Sequence, residues 1–378
     1  MVIRVFWQQA VELAWKKRSV IWLSGVRRAG KTRLCQSLPA VEYFDCELPR
    51  IRYQLEDCER FFESRKAKRI VLDEIHRLSN PSEVLKIAAD HYPDIKVIAA
   101  GSSMLGASAK FGDTLAGRKI NLWLTPLIQE ENKAFGDEDL SHRLLFGGLP
   151  SFFLNTHLPE SDFQEWLDAY WAKDIQELFR LEKRHSFQKF TELLLQQSGG
   201  VFEATKFAIP CEVSRQTIAN YLSVLDVTYV AHIIKPFHSN RAAEIISAPK
   251  VYGFDTGFVC HAKGWVSLRR EDLGLLWEHY VLNEMHAKLQ TKIIHYWRDK
   301  QKHEIDFIIQ KKINSPPIAI ECKWTANQFD PSHLKIFRQR YPEGKNFVVA
   351  ADIRDSFEKK FDTVQVRFVN LRDLVAEL

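Results

Sequence analysis

The sequence predicts an α/β protein in which a parallel sheet covered by helices is followed by a helical segment and a second α/β unit. Three observations predict it. An apolar run, Val20-Ile21-Trp22-Leu23, leads into a glycine-bounded loop and then a helix-compatible stretch beginning Thr32-Arg33-Leu34. Further apolar runs, Ile70-Val71-Leu72, Ile95-Lys96-Val97-Ile98-Ala99-Ala100 and Ile120-Asn121-Leu122-Trp123-Leu124, alternate with helical stretches, as strands of a two-sided parallel sheet do. Late in the chain, Ile305-Asp306-Phe307-Ile308-Ile309 and Ile318-Ala319-Ile320-Glu321-Cys322-Lys323 flank a turn, Asn314-Ser315-Pro316-Pro317, and read as paired strands.

The first loop, Gly25-Val26-Arg27-Arg28-Ala29-Gly30-Lys31-Thr32, satisfies G-x-x-x-x-G-K-[ST] at every constrained position. Gly25 and Gly30 let backbone N–H groups turn inward around phosphates, at the positive end of the following helix. Lys31 reaches the β- and γ-phosphates, and the Thr32 hydroxyl is a magnesium ligand. ATP or GTP is the expected ligand, with Arg27 and Arg28 counted among the nucleotide-binding residues.

Such a loop requires a carboxylate held opposite it for magnesium. The run Ile70-Val71-Leu72 ends in Asp73-Glu74, so Asp73 is the metal-holding acid and Glu74 the group that polarises the attacking water. The next strand ends in Gly101-Ser102-Ser103, where Ser102 or Ser103 is a candidate sensor of the γ-phosphate. Arg118, before the strand at Ile120, is a candidate source of transition-state charge for its own or a neighbouring subunit. The nucleotide is expected beyond the carboxyl ends of the strands.

From about Pro159 to Gln197 the chain reads helical, with Phe163, Trp166, Tyr170 and Trp171 spaced as a core face. A helix-turn-helix comes next. Glu203 to Ala208 begins its first helix, Val213-Ser214 supplies turn and cap, and Arg215 to Leu222 is the second helix, with Arg215, Gln216 and Asn220 outward. Tyr229 to Ile234 is the expected wing. In the last third, Glu321 and Lys323 are two apart and share a strand face, with Asp306 on the neighbouring strand. Carboxylates plus a lysine in this pattern suit a magnesium nuclease, and Glu278 upstream is placed to complete the metal shell.

Composition sets outer bounds. The 378 residues are 46% hydrophobic and 27% charged with net charge +5, which permits nucleic-acid binding through local patches without arguing for it. No run of about 18 apolar residues suggests a membrane span, and no signal peptide is evident, so a cytoplasmic location is expected. The six cysteines form no C-x-x-C pair, which points away from zinc and disulfides.

Together these residues resemble a family of AAA+ ATPases related to the signal-transduction (STAND-like) group. Its members join a P-loop NTPase domain to a carboxy-terminal region with a winged helix and a restriction-endonuclease-like (PD-(D/E)XK) fold. The likeness rests on the doubled arginine of the loop, Leu72-Asp73-Glu74-Ile75, Gly101-Ser102-Ser103, Leu115-Ala116-Gly117-Arg118 and Gly147-Gly148-Leu149-Pro150. It continues in Lys250-Val251-Tyr252-Gly253-Phe254-Asp255-Thr256-Gly257, Trp297-Arg298, Glu304-Ile305-Asp306-Phe307 and Glu321-Cys322-Lys323. Val26 and Ala29 depart from the usual proline and valine without removing a phosphate contact, and Asp255-Thr256-Gly257 is read as structural.

The resemblance implies an AAA+-like ATPase domain over 1–135, a helical linker or lid over 136–200, a winged helix-turn-helix over 201–245 and a nuclease-like domain over 246–378. It also implies ATP and Mg2+ as cofactors. Two functions stay open: an ATPase that gates a DNA-binding, nuclease-like module, and an ATP-dependent regulatory switch with an inactive nuclease-like domain that acts through protein partners. Partners on these readings are DNA, another protein or a second copy of the chain, and not a membrane. A P-loop kinase is disfavoured, because nothing after Asp73-Glu74 resembles an acceptor site.

Overall fold

The computed structural model describes residues 2–66, 68–101, 115–137, 139–158, 160–176, 179, 181, 183–238, 248–312 and 314–378. Its first sheet contains β1 (Val20–Ser24), β2 (Glu42–Asp45), β3 (Arg69–Asp73), β4 (Lys96–Ala100) and β5 (Lys119–Trp123), in the order β2-β3-β4-β1-β5. Every neighbouring pair is parallel. Side chains alternate between faces: Ile21, Leu23, Val71, Ile98 and Ala100 enter one apolar cluster, Val20, Trp22, Ile70, Leu72, Val97 and Ala99 another. Both faces are therefore dry, which is why these strands read as unbroken apolar runs. The helices Val5–Trp15 and Lys31–Ser37 cover one face, Cys58–Glu63 and Pro81–His91 the other. With β4 between β1 and β3, the loop after β1 and the acids ending β3 meet at the same edge.

Among the described residues the expected helical stretch after 159 includes an α-helix Glu160–Ala169, a π-helix Tyr170–Gln176 and an α-helix Arg184–Gln196. Phe163, Trp166, Tyr170 and Trp171 are all buried. Next come β6 (Gly200–Val201), the helices Ala204–Ala208 and Arg215–Val227, β7 (Ala231–Pro236) and β8 (Lys250–Gly253). Ser214 caps Arg215–Val227 by accepting from the Thr217 N–H. The helix Leu273–Leu289 leads to β9 (His295–Arg298), β10 (Glu304–Ile309), β11 (Ile318–Lys323), the helix Ser332–Arg340, β12 (Asn346–Ala350), β13 (Phe357–Phe361) and β14 (Val364–Val369).

All nine later strands form one sheet, β13-β14-β12-β11-β10-β9-β7-β8-β6. Strand β7 pairs antiparallel with β8 and, through Lys235 and Pro236, parallel with β9, so the sheet runs unbroken past residue 245. The apolar core is shared as well. One cluster extends from Trp7 and Leu23 through Trp166 and Tyr252 to Ile320 and Leu374. Among the described residues no helix is long and apolar enough to cross a membrane.

Polar ties fasten the first sheet to the rest of the chain. Buried Arg4 makes a two-pronged pair with Glu131 (2.7 and 2.6 Å) and donates to the Ala29 carbonyl at 2.8 Å, inside the phosphate-loop motif. Trp123, at the end of β5, stacks on Tyr229 with ring centroids 4.7 Å apart and lies 4.7 Å from the His286 ring. His286 faces His232 at 4.7 Å, and the Nδ1 atoms of both are buried without a hydrogen-bond partner.

Burial, reinforced by the charge of Lys292, pushes His286 down to about 3. Burial also holds His232 well below its ordinary value, with His286 and Lys292 adding to it. The unfolded chain takes up protons near pH 6.5 while the folded chain does not, so stability is lost as pH falls below that value. For His286 alone the loss between pH 7 and pH 4 is about 3 kcal/mol. Urea unfolding across this range is expected to show a shallower acid decline for His286→Phe than for the natural chain; equal slopes would remove His286 as its source.

Candidate nucleotide site and carboxylate cluster

The loop after β1 can close around an anion because its glycines take backbone angles denied to other residues. Gly25 has φ +143, and a Cβ there would lie 2.4 Å from the Leu124 carbonyl oxygen; Gly30 has φ +99. Lys31 opens the next helix and donates to the Gly25 and Val26 carbonyls at 2.8 and 3.2 Å, which draws its ammonium back over the loop. Burial lowers the Lys31 ammonium, against the opposing charges of Glu74, Asp174 and Asp73. A cavity of about 500 Å³ opens here, lined by Lys31, Thr32, Glu74, His76, Arg77 and Asp174 among others.

Asp73, at the end of β3, meets the loop directly. Thr32 donates to Asp73 Oδ2 at 2.7 Å, and the Tyr43 hydroxyl on β2 donates to the same oxygen at 2.6 Å. The other oxygen, Oδ1, accepts from the Glu74 N–H at 3.0 Å. Glu74 is left-handed at φ 49, an uncommon strain for a non-glycine residue, and its Oε2 lies 3.2 Å from His76 Nδ1. Burial would raise its carboxyl, but His76, Lys31 and Arg27 outweigh burial and keep it lowered.

This donor set fits a nucleoside triphosphate with magnesium: a loop whose two glycines take positive φ, with no room for a Cβ at Gly25, a lysine directed over it, and a hydroxyl and carboxylate already in contact. Thr32 and Asp73 would hold the metal, which when bound supplies positive charge that stabilises a departing phosphate. Lys31 would bind phosphate oxygens, and Glu74, whose carboxyl is kept lowered, would take a proton from an attacking water.

The other expected nucleotide residues divide. Arg27 and Arg28 line the cavity, yet Arg27 pairs with Asp174 at 3.2 Å and Arg28 with Glu165 at 2.5 Å. Arg118 is a correction to the reading within one chain: it is absent from the cavity lining and pairs with Asp90 at 2.7 Å, held there by a carboxylate on the helix Pro81–His91. Ser102 and Ser103 lie outside the described residues. Sequence reasoning missed Tyr43, His76, Pro150 and Asp174. His76, two residues after Glu74, was the most accessible of these; Asp174 had no signal, because a π-helix resets the side-chain phase.

A second polar centre lies in the long sheet. The β10–β11 register, Phe307 opposite Ile320, brings Asp306 to Glu321 and Lys323. Lys323 Nζ is 2.7 Å from Glu321 and 3.5 Å from Asp306, and Asp306 also accepts from the Cys322 N–H at 2.7 Å. Burial, with Asp306 adding to it and Lys323 opposing, pushes Glu321 up to about 8. Glu278 is pushed up to about 7, again by burial and then Asp306, against Lys250.

Lys250, which the sequence reading did not single out, lies 2.5 Å from Glu304 and 3.5 Å from Glu278, and the Tyr252 hydroxyl donates to Glu278. Period-two spacing of Lys250 and Tyr252 on β8 was the available sign. The expected metal set of Glu278, Asp306 and Glu321 is accordingly not assembled. Among the described residues no group of three His, Cys, Asp or Glu side chains is arranged to hold a metal ion. Lys323 ties Asp306 to Glu321, while Lys250 draws Glu278 towards Glu304.

A family model described as an AAA domain matches residues 17–133. The amino-terminal unit is similar to AAA domains in sequence and places the G-x-x-x-x-G-K-[ST] loop at the end of a strand of a parallel sheet. Residues 137–269 and 273–369 match two domains of unknown function, DUF8612 and DUF4143. Uncharacterized proteins of Mycobacterium tuberculosis and Mycobacterium bovis are each 27% identical over 320 residues, covering 81% of this chain and 70% of their own. Among solved structures, a Walker-type ATPase of Pyrococcus abyssi aligns at TM-score 0.47 and 13% identity, over 70% of this chain and 96% of its own. A STAND protein with a tetratricopeptide repeat sensor from Pyrococcus horikoshii aligns at TM-score 0.29 and 12% identity, over 74% and 46%.

Two outcomes are expected at the nucleotide site. Lys31→Ala lowers the ATP hydrolysis rate by about 100-fold or more, read as phosphate release. Tyr43→Phe removes a charge-assisted bond to Asp73 worth about 1.5 kcal/mol, so the magnesium concentration for half-maximal hydrolysis rises about tenfold. Unchanged magnesium dependence would deny Tyr43 a part in holding Asp73.

Proposed function

We propose that the chain is a magnesium-dependent ATPase whose nucleotide state is passed to a DNA-binding winged helix and a nuclease-like module. The observation that carries this reading is a direct tie between the phosphate loop and the end of the helix Arg215–Val227. Ser24, the last residue of β1 and neighbour of Gly25, is 2.9 Å from the Tyr229 hydroxyl, two residues past that helix. A second tie runs beside it. Arg27 holds Asp174 in the π-helix Tyr170–Gln176, and Tyr170 in the same segment bonds Thr228 at 2.6 Å. Phosphates entering the cavity compete with Asp174 for Arg27, and that competition pulls on the segment that touches the helix end.

The element order from Arg184–Gln196 through β6, the two short helices, β7 and β8 supports a winged helix with β7–β8 as its wing. Arg215, Gln216 and Asn220 are exposed on the second helix, where cations and amides can meet phosphates or base edges. A second reading, a switch that acts on a protein partner with no DNA cleavage, is favoured by the lysines among the four carboxylates of the long sheet.

Mobility shift of labelled duplex, with and without a non-hydrolysable ATP analogue, tests the choice. Salt-sensitive binding is expected, altered by the analogue in the natural chain but not in Lys31→Ala. Arg215→Ala is expected to weaken binding and lower the salt slope by about 1. Absence of binding at low salt would transfer the conclusion to the protein-partner switch.

A further inference from the structure

We propose that Lys250 is the built-in counter-cation of the carboxylate cluster and, in this arrangement, keeps a divalent metal out of it. Four carboxylates gather from three elements: Glu278 on the helix Leu273–Leu289, Glu304 and Asp306 on β10, and Glu321 on β11. Lys323 is bound to one side of this group, Asp306 and Glu321. The other side, Glu278 and Glu304, is served by Lys250, whose side chain is only 6% exposed, and Arg298 also lies 3.6 Å from Glu304.

The ammonium is enclosed on its apolar flanks too. It lies 5.9 Å from the centre of the Tyr252 ring and 5.7 Å from that of Tyr296, faces that attract a cation. Tyr252 in turn donates to Glu278, which fixes one carboxylate oxygen beside the lysine. An ammonium in a cage of carboxylate and aromatic faces is charge-balanced and has its donors satisfied. A divalent ion there would stand against a positive charge and would have to take Glu278 and Glu304 away from it. Magnesium also demands octahedral oxygen ligands at about 2.1 Å, which carboxylates spread around two lysines do not offer.

Lys250 is the first residue of β8, one strand of the proposed wing, so movement of that hairpin carries the ammonium with it. In this respect the inference rests on the winged-helix and nuclease-like reading; the assignment of the cation itself rests on the ion pairs.

Manganese(II) titration monitored by electron paramagnetic resonance, on nucleotide-free full-length protein, tests it. The natural chain is expected to bind no Mn2+ that Asp306→Asn releases. Lys250→Met is expected to gain one Mn2+ site, lost again in Lys250→Met combined with Asp306→Asn, whereas Lys250→Arg behaves as the natural chain. A folded Lys250→Met without the new site overturns the proposal. So does Asp306-dependent Mn2+ binding by the natural chain, and that measurement decides even if Lys250→Met does not fold. Plasmid cleavage by Mn2+-loaded Lys250→Met addresses the nuclease-like reading separately: metal bound without cleavage ends that reading and leaves the counter-cation standing.

Discussion

Concentrating Arg27, Arg28 and Lys31 on one short loop creates a positive charge that must be answered when no phosphate is present, and the chain beyond residue 125 is arranged to answer it. Asp174 takes Arg27, Glu165 takes Arg28, and Glu131 takes the Arg4 guanidinium that also grips the loop backbone at Ala29. Each acid comes from outside the parallel sheet. An incoming phosphate would therefore compete with protein carboxylates for the same cations, and those carboxylates sit on the segments that lead to the second sheet.

The carboxylate cluster obeys the same rule with the signs reversed. Burial, with the charge of Asp306 adding to it, pushes Glu278 and Glu321 towards the neutral range, and the fold sets lysines beside these buried acids. At both centres internal ion pairs already engage charged side chains, Arg27 and Arg28 at the loop and Lys250 and Lys323 at the cluster. A partner at either one must displace an internal ion pair, and such exchange confers selectivity for groups of high charge density.

Much of the nucleotide site was legible in the sequence because backbone geometry dictates residue type at fixed spacing. Gly25 and Gly30 are required by positive φ, and Asp73 ends a strand whose apolarity reports burial on both faces. Asp306, Glu321 and Lys323 were legible because strand periodicity puts a pair two apart on one face. What escaped was set by tertiary distance. Lys250 finds Glu278 across 28 positions, and Arg118 was claimed by Asp90, whose helix offered no sign of facing it. Gly147-Gly148 and Asp255-Thr256-Gly257, separate marks of family resemblance, turn out to be in contact, with Asp255 accepting from the Gly148 N–H at 2.6 Å.

The continuous apolar cluster linking both sheets also limits how the molecule can move. A core shared from Trp7 to Leu374 couples the halves into one cooperative unit, in which hinging the sheets apart would expose much of the surface that folding hides. On the function proposed above, nucleotide turnover would have little access to wide opening and would act through small displacements along the seam, at side chains such as Tyr229 and within single turns of helix. Such a molecule would act less like a pair of jaws than like a stiff lever, whose output is a change of angle at its tip.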